Sequence, residues 1–170
     1  QLDGHRGRVR DIWGCGIAQQ PDGVLRLVSQ VPPEQEFLRI AEFTAARPKW
    51  FFPARLLTIP PATPDADRAA LDLLRAPDFD PLTQSIIVAS APIPTAGTNA
   101  RVTRVVRDEP AFAQIEVETP CDALLVRAVR YDPDWRVHID GRPAALLRAD
   151  YIMQAVVVPG GRHQIVWEYC

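Results

Sequence analysis

The stretch YDPDWRVHIDGRP, residues 131 to 143, holds most of the side-chain types that a site needs. Tyr131 and Trp135 offer aromatic faces, Asp132, Asp134 and Asp140 carboxylates, Arg136 and Arg142 guanidiniums, and His138 an imidazole. An aromatic platform beside planar hydrogen-bonding groups is the chemistry of carbohydrate binding. Tyr131, Asp134, Arg148 and Tyr151 fall at strand ends and loops where they could gather into such a face. The competing reading is that both tyrosines cap a packed core, ring buried and hydroxyl wet. Asp132 and Asp134 could do acid-base work only if the fold brought them to a cleft; in a turn beside arginines they are solvated.

Other chemistries find less to work with. His138 and His163 lie on strands near Asp140 and Glu168, but no pair has ligand spacing such as H-x-x-x-H and His5 is remote, so no metal and no cofactor is expected. Ser29, Ser85 and Ser90 lack the nucleophile-elbow context, and Cys15 in GCG has no base that the local sequence identifies. No catalytic residue is therefore assigned. Lys+Arg 19 against Asp+Glu 21, without a basic run, gives no electrostatic footprint for nucleic acid. Cys15, Cys121 and Cys170 form no C-x-x-C and are odd in number, which leaves the redox compartment open. No apolar run spans a membrane, since residues 81 to 100 are broken by Pro92, Pro94 and Gly97, and the start at Gln1 reads as a fragment or mature piece.

The elements that must position these residues are mostly strands. A chain of 170 residues can bury about 70% of its unfolded surface in one core, and 17 prolines argue against a helix bundle. GVLRLVSQ reads as a strand, EQEFLRIAEF as a strand or a helix with the strand favoured, and Val9 to Trp13 as a short strand. KWFFPARLLTIP, a helix over about 64–76 and TQSIIVAS make a strand-helix-strand unit, with Thr63 as N-cap and Pro64 at the first helical position. The Pro92 to Ala100 loop is the candidate boundary. Beyond it, short strands at eight- to twelve-residue spacing predict an antiparallel β-sandwich, jelly-roll-like, over 92–170. Residues 1–91 would pack on it, in a mainly β, α+β fold that is two parts or one continuous domain.

Within that sandwich Asp140-Gly141 predicts a two-residue type I′ hairpin, setting Ile139 opposite Arg142, Val137 opposite Ala144, Trp135 opposite Leu146 and the edge residue Pro143 opposite His138. VVVPGGRHQIVWEY predicts a second hairpin with Pro159, Gly160 and Gly161 at its tip, His163 bonded within the turn, and Ile165 and Trp167 on one face. Trp135 and Trp167 take core positions rather than stacking positions for a ligand. Arg101, Arg104 and Arg107, three apart on a strand, should alternate between faces.

The segment LLVRAVRYDPDWRVHIDGRPAALLRADYIMQAVVVPGGRHQIVWEY resembles the C-terminal soluble segment of the YfhO family of bacterial multi-pass membrane proteins. The matching positions are Tyr131, Pro133, Trp135, Asp140, Gly141, Arg148, Tyr151, Val158, Pro159, Gly161 and His163, and FFPARLL, AALDLLRAPDFDP and ARVTRV extend the likeness over about residues 50 to 169. Asp132 stands where the family has an aromatic residue and Asp134 where it has glycine. The resemblance implies a non-catalytic extracytoplasmic β domain of a lipid-linked-sugar glycosyltransferase-like membrane protein that modifies cell-envelope polymers. Its partners would be the membrane-embedded remainder of the same chain and a glycan or envelope polymer, and it would serve acceptor recognition or architecture. The alternative is a free-standing carbohydrate-binding or adhesion module.

Overall fold

The computed structural model describes the backbone of residues 25–29 and 40–43, and residues 47–91, 93–95 and 99–170. The chain divides into two compact units, Gln1–Ala46 and Arg47–Cys170. In the first, β1 (Leu25–Ser29) pairs antiparallel with β2 (Ile40–Phe43). The strand expected over Val9 to Trp13 lies outside the described residues.

The second unit is mainly β. Its strands are β3 (Trp50–Phe51), β4 (Arg55–Ile59), β5 (Gln84–Val88), β6 (Arg101–Glu109), β7 (Phe112–Thr119), β8 (Ala123–Arg130), β9 (Trp135–Ile139), β10 (Arg142–Ala144), β11 (Leu147–Ala149), β12 (Met153–Val158) and β13 (Gly161–Tyr169). They build a 5-stranded sheet in the order β10-β9-β13-β7-β6 and a 6-stranded sheet in the order β3-β8-β12-β11-β5-β4. The sheets face each other as a sandwich. Alternation on β7 sends Ala113, Ile115 and Val117 inward, where they join Trp135, Val137, Ile165 and Trp167 against Leu125, Val156 and Val158 of the larger sheet.

The strand-helix-strand unit is not a separate layer on this sandwich. β4 and β5 pair in parallel, and Ala149 of β11 pairs with Ile87, so the unit extends the larger sheet. Helix α1 (Ala66–Leu74) buries Ala70 against Ile59 and Ile86. Ile87, pointing the other way, packs with Leu124, Val126 and Phe51. The helix and the 5-stranded sheet therefore lie side by side on one face of the 6-stranded sheet. The division between compact units falls between residues 46 and 47.

Several local expectations are revised. Residues 50–59 form two strands, not one, because Pro53 has no N–H to donate to a ladder. The helix is capped by Asp65, not Thr63: Asp65 takes φ 50° and accepts the Arg68 N–H at 3.1 Å. A carboxylate suits the positive end of the helix. The Asp140-Gly141 hairpin forms with both residues at positive φ, 51° and 75°, and in the expected register as far as Val137 opposite Ala144. Its ladder stops there because the chain leaves for β11, so Trp135 and Leu146 meet in the core without being paired across strands.

The second hairpin does not exist. β12 is hydrogen-bonded to β8 and β11, whereas β13 lies between β7 and β9 in the other sheet, so Pro159, Gly160 and Gly161 turn a corner between sheets. The corner is held from outside: Asp122 Oδ1 accepts the Gly160 N–H at 3.0 Å, and Thr119 Oγ1 donates to Pro159 O at 3.3 Å and to Cys121 O. A Cβ on Gly160 would lie 2.9 Å from Cys121 Cα.

Candidate functional site

The turn between β8 and β9 is built by its own side chains. Asp132 accepts the Asp134 N–H at 3.0 Å, the Trp135 N–H donates to Asp132 O at 3.2 Å, and Arg136 Nη1 donates to Pro133 O at 2.7 Å. Backbone bonds then tie the turn to the rest of the unit, from Tyr131 N to Ile152 O at 2.6 Å and from Cys170 N to Asp134 O at 3.2 Å. The charge of Asp132 beside the exposed Tyr169 phenol holds that phenol above its ordinary range. Asp132 thus forms the turn through its side chain, whereas Asp134 contributes backbone groups alone and its side chain faces solvent.

Between this turn and the β9–β10 hairpin lies a cleft of about 270 Å³ lined by Tyr131, Pro133, Trp135, Arg136, His138 and Leu146 among others. Trp135 is 6% exposed and meets Tyr169 edge-on at 5.4 Å. The cleft sets the Tyr131 ring, a guanidinium and an imidazole beside the largely buried Trp135, a set in which Tyr131 can stack on an apolar sugar face and the N–H groups can donate hydrogen bonds to its hydroxyls.

The four residues of the expected sugar face do not come together. Tyr131 lines the cleft, with Asp134 in the turn at its mouth. Arg148 and Tyr151 belong to the helix side: Arg148 is ion-paired with Asp67 of α1, its Cζ lies 5.9 Å from the Tyr151 ring centroid, and Tyr151 packs with the Ile59 cluster. Alternation along β11 and the tight turn after it aim these two at the helix. Asp150 and Tyr151 both take positive φ there, 46° and 69°.

The remaining signature residues are structural. Asp140 Oδ2 meets His163 Nδ1 at 2.7 Å and Asp140 Oδ1 accepts the Gln164 N–H at 2.9 Å, so the hairpin tip is latched to β13. The His163 bond, with that N–H, holds the Asp140 carboxyl below its usual range. His163 also approaches Gly160 O, at 3.4 Å, so its main partner is the neighbouring hairpin rather than its own turn. Trp167 is fully buried. Buried Asp150 accepts from Ile86 N–H at 2.7 Å, from Ser85 Oγ at 3.2 Å and from Arg47 Nη1 at 2.6 Å, which bolts β5 to the β11 turn. Cys121 and Cys170 are exposed free thiols, while Cys15 and His5 lie outside the described residues. Among the described residues no three His, Cys, Asp or Glu side chains converge as a metal site, and no helix is long and apolar enough to cross a membrane.

Two features escaped sequence reasoning. The first is on the outer face of the 5-stranded sheet. Bulges on β6 between Val102 and Arg104 and between Val105 and Arg107 pair Arg101, Arg104 and Arg107 with Glu118, Glu116 and Gln114 of β7, so all three arginines share one face. Each bulge adds one residue and turns a spacing of three into an in-phase repeat. Arg101 and Arg162 both reach Glu118, at 2.6 and 3.3 Å, and hold its carboxyl low, beside an open groove of about 460 Å³. The bulges also spoil β6 as an edge for strand addition. The second is Arg127, 1% exposed in the sandwich core, with Cζ 4.6 Å from the Trp135 ring centroid and 5.5 Å from that of Trp167. Burial pulls its pKa down to about 10. The sequence LLVRAV does carry an arginine at an inward position, but alternation alone gives no reason to leave a charge in a core.

Fold and site together define a two-sheet β-sandwich extended by a parallel strand-helix-strand unit, with an aromatic cleft at the edge of the smaller sheet. No protein-family model, curated protein or solved structure matches the chain.

Proposed function

We propose that this chain is a non-catalytic glycan-recognition domain, set on the extracytoplasmic face of a membrane glycosyltransferase-like protein that acts on cell-envelope polymers. The observation that carries the recognition role is the cleft itself: Tyr131 and Trp135 line it together with Arg136 and His138. The Tyr131 ring takes the apolar face of a pyranose, guanidinium and imidazole N–H groups take its hydroxyls, and the largely buried Trp135 backs the cleft from the core. The membrane setting and the polymer acceptor rest on the resemblance of residues 50 to 169 to the YfhO family. Arg148 and Tyr151 are left out of the contact surface because they clamp α1 to the sheet.

Binding is tested by screening the 170-residue chain against glycans and envelope polymers, followed by titration of any hit on variants. Tyr131→Ala should weaken binding about tenfold, the equivalent of about 1.4 kcal/mol for the lost aromatic contact, while Tyr151→Ala leaves affinity unchanged. Equal affinity of Tyr131→Ala and the parent chain removes the cleft from the function. The parent gene separates the two settings: a series of hydrophobic spans upstream places the domain beside a membrane, and a secretion signal without spans makes it a free-standing module.

A further inference from the structure

Arg127 poses a problem of satisfaction. Of its five N–H donors, the sandwich supplies an acceptor to one nitrogen, Nη1, which donates to Gln154 Oε1 at 3.1 Å. That amide is fixed, because Gln154 Nε2 donates to Arg130 O at 3.0 Å and so turns its oxygen toward the arginine. Arg127 Nε is buried with no partner, and so are the indole Nε1 atoms of Trp167 and Trp50. The three belong to side chains that are neighbours in the core. Trp50 is the register partner of Arg127 on the neighbouring strand and points to the same face, and Trp167 is one of the two rings that flank the guanidinium. Among the described residues no carboxylate pairs with it, and Asp108, the acid whose field reaches Arg127, is itself held by Lys49 Nζ at 2.6 and 2.7 Å.

We propose that Arg127 Nε, Trp50 Nε1 and Trp167 Nε1 form an interior binding site for a small monovalent anion of the halide class. Indole nitrogens and guanidiniums donate and never accept, so the group that satisfies them must accept several hydrogen bonds and bring no proton of its own. A halide does this, and its single charge offsets the buried cation. A water molecule accepts equally well but arrives with two protons of its own to place and leaves the charge unbalanced. The cost of an uncompensated ion in a core is large enough to favour the anion. The indole faces on either side of the guanidinium stabilise the cation without competing for the anion. This site lies on the inner face of the sandwich and is independent of the glycan reading.

Crystals of the 170-residue protein grown in bromide should show an anomalous peak within hydrogen-bond distance of Arg127 Nε. In solution, bromide or chloride at about a hundred times its dissociation constant should raise the thermal midpoint by about 5–10 °C over gluconate at equal ionic strength. Arg127→Met should lose that halide dependence, and Trp50→Phe, which removes a single donor, should reduce it. Should Arg127→Met fail to fold, the bromide crystal and Trp50→Phe decide. Water density alone at the site, or the same halide response in Arg127→Met as in the parent chain, overturns the proposal.

Discussion

Two turns in this molecule look alike in sequence and behave differently. Asp140-Gly141 and Pro159-Gly160-Gly161 each join two apolar, alternating segments, and each satisfies the composition rule for a hairpin. The first is a hairpin: its two residues sit at positive φ, its register follows from the loop length, and β13 latches its tip through Asp140. The second sends the chain from the larger sheet to the smaller, and it is clasped by the other corner, residues 119 to 122. A turn's residues decide which φ values are affordable. Which neighbour a strand then pairs with is decided by the strands that already flank it.

The contrast can be broken in graded steps. The largest effect should come from Trp167→Ala, which empties the side chain around which the two sheets close; a loss of about 3–5 kcal/mol is expected in denaturant unfolding. Gly160→Ala should cost about 1–3 kcal/mol, because the new methyl meets backbone at Cys121 that cannot swing aside. Gly141→Ala, which meets nothing within 4 Å, should cost about 1 kcal/mol, the penalty of a side chain at positive φ. If Gly141→Ala proved the costlier of the two, the corner would be a local turn after all. Measured unfolding free energies on both variants settle the order.

The smallest effect should be the Asp140–His163 latch. The folded-state pKa of Asp140 is depressed, so its contribution to stability is present in full above the unfolded carboxylate pKa and fades as pH falls through the folded value. Stability followed from neutral to acidic pH should therefore fall less steeply in Asp140→Asn than in the parent chain. Both groups are reached by solvent, and the difference is expected to be small.

The strand inventory beyond residue 100 was legible because period-2 alternation with one buried face leaves a strong signal; Phe112 to Thr119 alternates between half-buried and buried residue by residue. The β9–β10 register was legible because a two-residue loop fixes it. The arginines of β6 were misjudged because a bulge changes the repeat without leaving a mark such as glycine. The sugar face was half legible: Tyr131 and Trp135 reach one cleft, but Arg148 and Tyr151 are claimed by a helix that lies more than seventy residues earlier in the chain.

The sequence by itself determined a β-rich chain with a helix after residue 63, a hairpin at Asp140, and inward places for Trp135 and Trp167, all consequences of short-range sterics and side-chain periodicity. Only the tertiary structure decided that the parallel unit joins the larger sheet, that the last two strands part company, and that Arg127 lies between two indoles in the core. These depend on contacts between residues far apart in the chain, where each strand has several partners of equal local merit and only the closed core selects among them.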